Sequence, residues 1–221
     1  SGGGFAKDGV TDIAALVAAC TASGARLACL CGSDAAYAAE GRAASQALTT
    51  AGATVWLRGE LRPPFVIRYE LTIVSAGGPN DRVSDANCFI LARDPHSPDG
   101  SPYAEGFGRT GRFSDYDSLK MYYVGMGGND NTTTRFRRYA GDGTKPLRPE
   151  HDLRDPRFLL EPNRTYRIIV GVNVDGTVLY YRDGELIFRW QDPDPIHAGW
   201  FGFRTVRSHQ LIRKFEVIFP E

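Results

Sequence analysis

Arg167-Ile-Ile-Val-Gly-Val-Asn-Val174, Thr177-Val-Leu-Tyr-Tyr-Arg182 and Glu185-Leu-Ile-Phe-Arg-Trp190 are three short apolar runs parted by Asp175-Gly176 and Asp183-Gly184. Asp-Gly between such runs signals a hairpin, because a tight turn needs positive φ at its centre. The stretch therefore reads as an antiparallel meander. Working outward, further runs of the same kind fall at Phe65–Val74, Cys88–Ala92, Leu119–Gly125, Thr133–Tyr139, Gly199–Thr205 and Lys214–Phe219, about nine in all. That many strands with so little helix predicts a mainly β, two-sheet sandwich.

The first quarter of the chain follows a different logic. Of 23 alanines, 17 precede Leu61, whereas all aromatic residues except Phe5, Tyr37 and Trp56 follow Trp56. Thr11 or Asp12 is placed to cap a helix over Ile13–Cys20 that Gly24 stops; Arg26–Cys31 reads as a short strand, and Ser33-Asp34 opens an alanine-rich helix ending near Gly52. The expected division is an α/β appendage over residues 1–58 and a sandwich over 59–221. Three of the four cysteines, Cys20, Cys29 and Cys31, lie in the appendage and Cys88 stands alone; the spacing suits buried free thiols rather than a metal knuckle.

Composition narrows the partners. At 221 residues with 42% hydrophobic content the chain has enough apolar side chain for a core, and 26 basic residues balance 26 acidic ones. Net charge thus draws it toward neither nucleic acid nor an anionic membrane, and any basic site must be a local cluster. No apolar run approaches the ~18 residues of a membrane span, and the Ser1-Gly-Gly-Gly4 start carries no signal-peptide pattern.

Gly77-Gly-Pro-Asn-Asp-Arg-Val-Ser-Asp-Ala-Asn-Cys-Phe89, Tyr122-Tyr-Val-Gly-Met-Gly-Gly-Asn-Asp-Asn-Thr-Thr-Thr-Arg-Phe-Arg-Arg-Tyr139 and Gly199-Trp-Phe-Gly-Phe-Arg-Thr-Val-Arg-Ser-His209 resemble a bacterial concanavalin-like jelly roll of laminarinase and lectin architecture, in a largely uncharacterised family found among polysaccharide-utilisation proteins. The resemblance covers Phe65–Phe219 and implies glycan-related work in an extracytoplasmic setting. Asp12-Ile-Ala-Ala-Leu-Val-Ala-Ala19, Leu27–Ala38 and Ala51-Gly-Ala-Thr-Val-Trp-Leu-Arg58 are similar to part of the C-terminal cobalamin-type domain of the methylmalonyl-CoA mutase small subunit. The cobalt-ligating Asp-x-His-x-x-Gly motif of that domain is absent from the chain, so no corrinoid is implied. The expectation is a chimera, with Thr54–Leu61 either ending the mutase-like piece or beginning the jelly roll, and with no clean candidate for the jelly roll's N-terminal strand.

Strand parity sorts core from surface. Phe201 and Phe203 share one face and Trp200 and Arg204 the other; Phe136 opposes Arg135, Arg137 and Tyr139; Tyr122, Val124 and Met126 turn inward while Tyr123 turns outward with Gly125. If the outward faces belong to one sheet, Tyr123, Arg135, Arg137, Trp200 and Arg204 line one groove. Aromatic faces stack on sugar rings and guanidinium forks pair with carboxylates, so an acidic, uronate-containing polysaccharide or oligosaccharide is the favoured ligand. Cleavage by β-elimination requires a group to neutralise the carboxylate, a base and an acid. Arg135 or Arg204 suits the first role with Asn87 or Asn129 assisting, and Tyr123 or His209 the others, with Arg207 favouring a neutral His209.

Two other readings stand beside the lyase. One is a non-catalytic carbohydrate-binding module. The other is a glycoside hydrolase, although the closely spaced Glu-x-Asp-x-x-Glu strand of retaining enzymes of this fold is missing. A mutase subunit fragment is the weakest alternative. Gly125-Met-Gly-Gly-Asn-Asp-Asn131 lies between strands and reads as a hairpin loop rather than a phosphate cradle. No cofactor is expected; Asp81, Asp85, Asn129, Asp130 and Asn131 supply oxygens either for a structural Ca²⁺ or for Asx turns. Oligomeric state is left open by the sequence.

Overall fold

A computed structural model describes residues 53–103, 109 and 112–220. The expected elements at Ile13–Cys20, Arg26–Cys31 and Ser33–Gly52, with three of the cysteines, lie outside the described residues.

Eleven strands are described: β1 (Ala53–Trp56), β2 (Phe65–Val74), β3 (Ala86–Arg93), β4 (Lys120–Gly127), β5 (Thr133–Ala140), β6 (Asp152–Leu153), β7 (Thr165–Val172), β8 (Thr177–Arg182), β9 (Glu185–Gln191), β10 (Trp200–Thr205) and β11 (His209–Ile218). They form two antiparallel sheets, one of order β1-β10-β3-β4-β5-β6 and one of order β11-β2-β7-β8-β9. The sandwich read from the sequence is the observed architecture.

The two Asp-Gly pairs produce the β7–β8 and β8–β9 hairpins, by different turns. Asp183 and Gly184 both take positive φ, at 53° and 89°, which is the two-residue hairpin expected. At the other pair only Gly176 is left-handed, and its N–H reaches back to the Asn173 carbonyl at 3.2 Å, so the turn takes in Asn173 and Val174 and β7 ends at Val172. Between β4 and β5 the chain reverses through Asn129, Asp130 and Asn131, all with positive φ, confirming a hairpin loop there.

The Ala53–Trp56 segment corrects an expectation. It pairs antiparallel with β10, Ala53 opposite Thr205 and Trp56 opposite Gly202, as the edge strand of the six-stranded sheet. It begins the jelly roll, the second of the two readings of Thr54–Leu61, so the strand set starts before residue 59. Four residues, of which Thr54, Val55 and Trp56 favour strand, give too short a period-2 signal to stand out.

Alternation builds the core. Phe65, Ile67, Tyr69, Leu71 and Ile73 of β2 face inward and meet Cys88, Ile90, Tyr122, Val124, Met126, Phe136 and Phe201 from the other sheet. Burying each such side chain contributes roughly 1.5–3 kcal/mol. β4 does not alternate in exposure, because its outer face is covered as well. Tyr116 and Leu119, before β4, pack over that face with Trp56, Phe89, Tyr123, Tyr139 and Trp200.

Candidate functional site

The register of the six-stranded sheet sets one row of side chains across all six strands. Thr54 pairs with Arg204, Arg204 with Asn87, Asn87 with Gly125, Gly125 with Arg135 and Arg135 with Asp152. The next row on the same face runs Trp56, Gly202, Phe89, Tyr123 and Arg137. Partners in register stand about 5 Å apart, so each row presents its polar groups as a line along the outer face.

Over the part of these rows formed by Arg204, Tyr123, Gly125, Arg135 and Arg137 opens a cleft of about 420 Å³. Its lining includes the predicted Tyr123, Asn129, Arg135, Arg137 and Arg204, and adds Arg82, Asp85, Phe113, Asp130, Tyr139 and Lys145. Five cationic side chains thus face two carboxylates in the lining. Arg82 bridges both carboxylates, tying the loop before β3 to the β4–β5 turn. Behind the wall, Asp152 accepts from Arg135 Nε at 2.6 Å, a bond that leads the causes holding the Asp152 carboxyl below its usual range, and Lys145 pairs with Asp117. Arg137 donates to a neutral acceptor, the Lys145 carbonyl.

Arg204 lies on the floor, 2% exposed, with its guanidinium 4.8 Å from the Phe113 ring centre and 5.5 Å from that of Tyr116. Burial pulls its pKa down, while Tyr116, Tyr123, Asp85 and Tyr139 act in the opposite direction. Tyr123 is also buried and its hydroxyl donates to Asn87 Oδ1 at 3.0 Å, which gives Asn87 its place beneath the cleft rather than in its lining. Burial pushes the Tyr123 phenol well above its ordinary range, so it stays protonated at neutral pH.

The remaining predicted residues sit elsewhere. Trp200 shares the outer face but is 7% exposed, edge-on to Tyr103 with ring centres 5.9 Å apart and with the Arg93 guanidinium 5.6 Å from its ring, and is not in the cleft lining. His209 begins β11 in the opposite sheet, where its Nδ1 lies 3.3 Å from Asp81 Oδ1. Arg207 is exposed, left-handed and outside the lining, and its carbonyl accepts from the Arg82 N–H. Parity sees only the strand's own two faces; it carries no information about a loop that folds over one of them or about which sheet the next strand joins.

Four of the five oxygen donors considered for Ca²⁺, Asp81, Asp85, Asp130 and Asn131, are engaged within the chain. Asp81 Oδ2 accepts from the N–H groups of Ala76 and Gly78, both at 3.0 Å, Asp85 and Asp130 hold Arg82, and Asn131 exchanges hydrogen bonds with the Leu160 backbone. Among the described residues no three His, Cys, Asp or Glu side chains converge. Phe113, Lys145 and Arg82 were missed in sequence because they lie outside the strands, Phe113 at the start of a one-turn 3₁₀ helix and the other two in loops, where no period-2 pattern marks direction.

Two sheets of this order, with a cleft on the outer face of the six-stranded one, define a galectin-like jelly roll. The chain belongs to the family described as Domain of unknown function (DUF6250), whose model matches residues 48–215. Among solved structures it is similar to a Bacillus subtilis protein of unknown function with galectin-like fold, 16% identical over 74% of this chain and 76% of that one, with a TM-score of 0.54. It is also similar to the carbohydrate-binding module CBM66 of Bacillus subtilis (12% identity, 76% and 81% covered, TM-score 0.48) and to sheep galectin-11 in complex with glycerol (9%, 75% and 96%, 0.45). At these identities the likeness is one of fold. Comparison with curated proteins gives no match. The family match begins at residue 48 and takes in β1, so the jelly-roll resemblance holds, and neither the mutase resemblance nor a chimera is supported.

Proposed function

We propose that the cleft binds an acidic sugar, a uronate within a polysaccharide or oligosaccharide, as a carbohydrate-binding site. The observation that carries this reading is the lining itself: Arg82, Arg135, Arg137, Lys145 and Arg204 against Asp85 and Asp130. Guanidinium forks match carboxylates in pairs, and their desolvation in a partly enclosed cleft strengthens the attraction. Phe113, rather than Trp200, offers the sugar an aromatic face, being half-buried and part of the lining. The volume falls within the range of sites for small ligands, enough for one or two sugar rings. An extracytoplasmic location goes with the reading.

Binding is favoured over β-elimination because, among the described residues, the cleft lining supplies cations and a proton donor but no carboxylate or imidazole free to act as base. Tyr123 is held protonated, Asp85 and Asp130 are bound by Arg82, and His209 is not in the lining. Titration calorimetry with oligogalacturonate and oligomannuronate, each beside its carboxyl-reduced counterpart, tests the proposal. Tighter binding of at least one acid form is expected; equal or absent binding of both forms across the panel overturns it. Ultraviolet absorbance on the same mixtures reports unsaturated uronates, and a sustained rise would restore the lyase.

A further inference from the structure

Resting on the reading of the cleft as a uronate site, we infer that the sugar carboxylate is received at its Tyr139 end, where the Tyr139 hydroxyl donates to one carboxylate oxygen beside Arg137 and Arg204. Tyr139 lines the cleft yet is 0% exposed, and its hydroxyl has no hydrogen-bond partner among the described residues. A buried hydroxyl left unmatched costs the free protein stability, and a phenylalanine would fill the same space without that cost. The ring packs 5.7 Å from that of Tyr123, with the Lys145 ammonium 5.9 Å from its centre.

The charges around the phenol say what it is poised to meet. Arg137 and Arg204 act on it as cations and Asp117 as an anion, with Asp117 already bound by Lys145. An acceptor arriving here from the cleft therefore meets two guanidinium groups and a donor hydroxyl, a combination that suits a carboxylate better than a neutral hydroxyl. Burial, followed by Asp117, raises the Tyr139 pKa, so the phenol remains a donor throughout the pH range in which uronates are ionised.

The test is Tyr139→Phe, titrated with the tightest-binding acid oligosaccharide of the panel and with its carboxyl-reduced form. Loss of one hydrogen bond to a charged group predicts roughly a tenfold or greater drop in affinity for the acid and little change, within about twofold, for the reduced form. The melting temperature of the variant is expected to be unchanged or higher. An unchanged affinity for the acid, an equal loss on both ligands, or a lowered melting temperature each overturns the inference while leaving the uronate reading intact. Failure of the wild-type protein to bind any uronate overturns both. Arg137→Gln gives a second measurement, expected to show the same selectivity for the acid form.

Discussion

The Tyr123 hydroxyl reaches Asn87 Oδ1 at 3.0 Å by lying across the position where Gly125 lacks a side chain. A Cβ at Gly125 would stand 2.1 Å from that hydroxyl and 2.6 Å from the ring carbon bearing it. The ring cannot swing aside, being packed between Phe89, Phe113 and Tyr139. Gly125→Ala is therefore expected to lower stability by about 1–3 kcal/mol in denaturant unfolding, and to break the Tyr123–Asn87 bond beneath the cleft. A variant as stable as wild type would show that the ring has room to move.

His151 closes the far edge of the sandwich against Phe136, Phe188 and Trp190, with ring centres 5.1, 5.7 and 6.0 Å away, and it hydrogen-bonds the Arg189 backbone. Burial pushes its pKa below the ordinary value, outweighing the Arg189 bond and the nearby Glu150. As pH falls below about 6.5 the unfolded chain takes up this proton first, so the contribution of His151 is complete above that pH and is lost as pH drops through the lower folded-state value. Unfolding curves between pH 7.5 and 5.0 should show a steeper loss of stability in wild type than in His151→Phe. Parallel losses would remove His151 as the cause.

How far the sequence speaks can be seen residue by residue. Phe201 and Phe136 went to the core and Arg135, Arg137 and Arg204 to one outer face, because period-2 alternation is a property of the strand alone. Trp200 obeys the same parity and is still only 7% exposed, since Tyr103 and Arg93 pack against its ring. His209 lies five residues after Arg204 in sequence, but the reversal at Val206 and Arg207 carries it to the other sheet. Strand direction was legible; what covers a face, and which sheet comes next, depends on long-range packing that local pattern does not encode.

On the proposed uronate reading, Asp152 and the sugar carboxylate would compete for Arg135. It sits on β6, at the edge of its sheet, and holds the Arg135 Nε while also accepting from Arg154 at 2.8 Å. The two substitutions at this pair should act with opposite signs: Arg135→Ala weakens uronate binding severalfold, whereas Asp152→Asn leaves the guanidinium more available and tightens it. In Arg135→Ala, the Asp152 carboxyl should also titrate closer to its usual range, as read by NMR. Weaker binding in both variants would mean that the pair acts by ordering the strand, not by competing for charge.

Phe113 and Trp200 exchange the roles that composition alone suggests. The indole is the larger stacking surface, yet it is 7% exposed and packed with Phe89, Tyr116 and Tyr123 in the outer cluster, while Phe113 edges the cleft beside Arg204. Truncating the buried indole removes contacts on every side, so Trp200→Ala should cost about 3–5 kcal/mol of stability. Phe113→Ala should cost far less stability and instead weaken sugar binding by roughly twofold to tenfold, the worth of one aromatic contact. Because the two losses appear in different experiments, chemical unfolding for one and ligand titration for the other, the pair separates scaffold from site. Full sugar affinity in a folded Phe113→Ala protein would leave the cleft without its stacking surface and turn attention to the guanidinium groups alone.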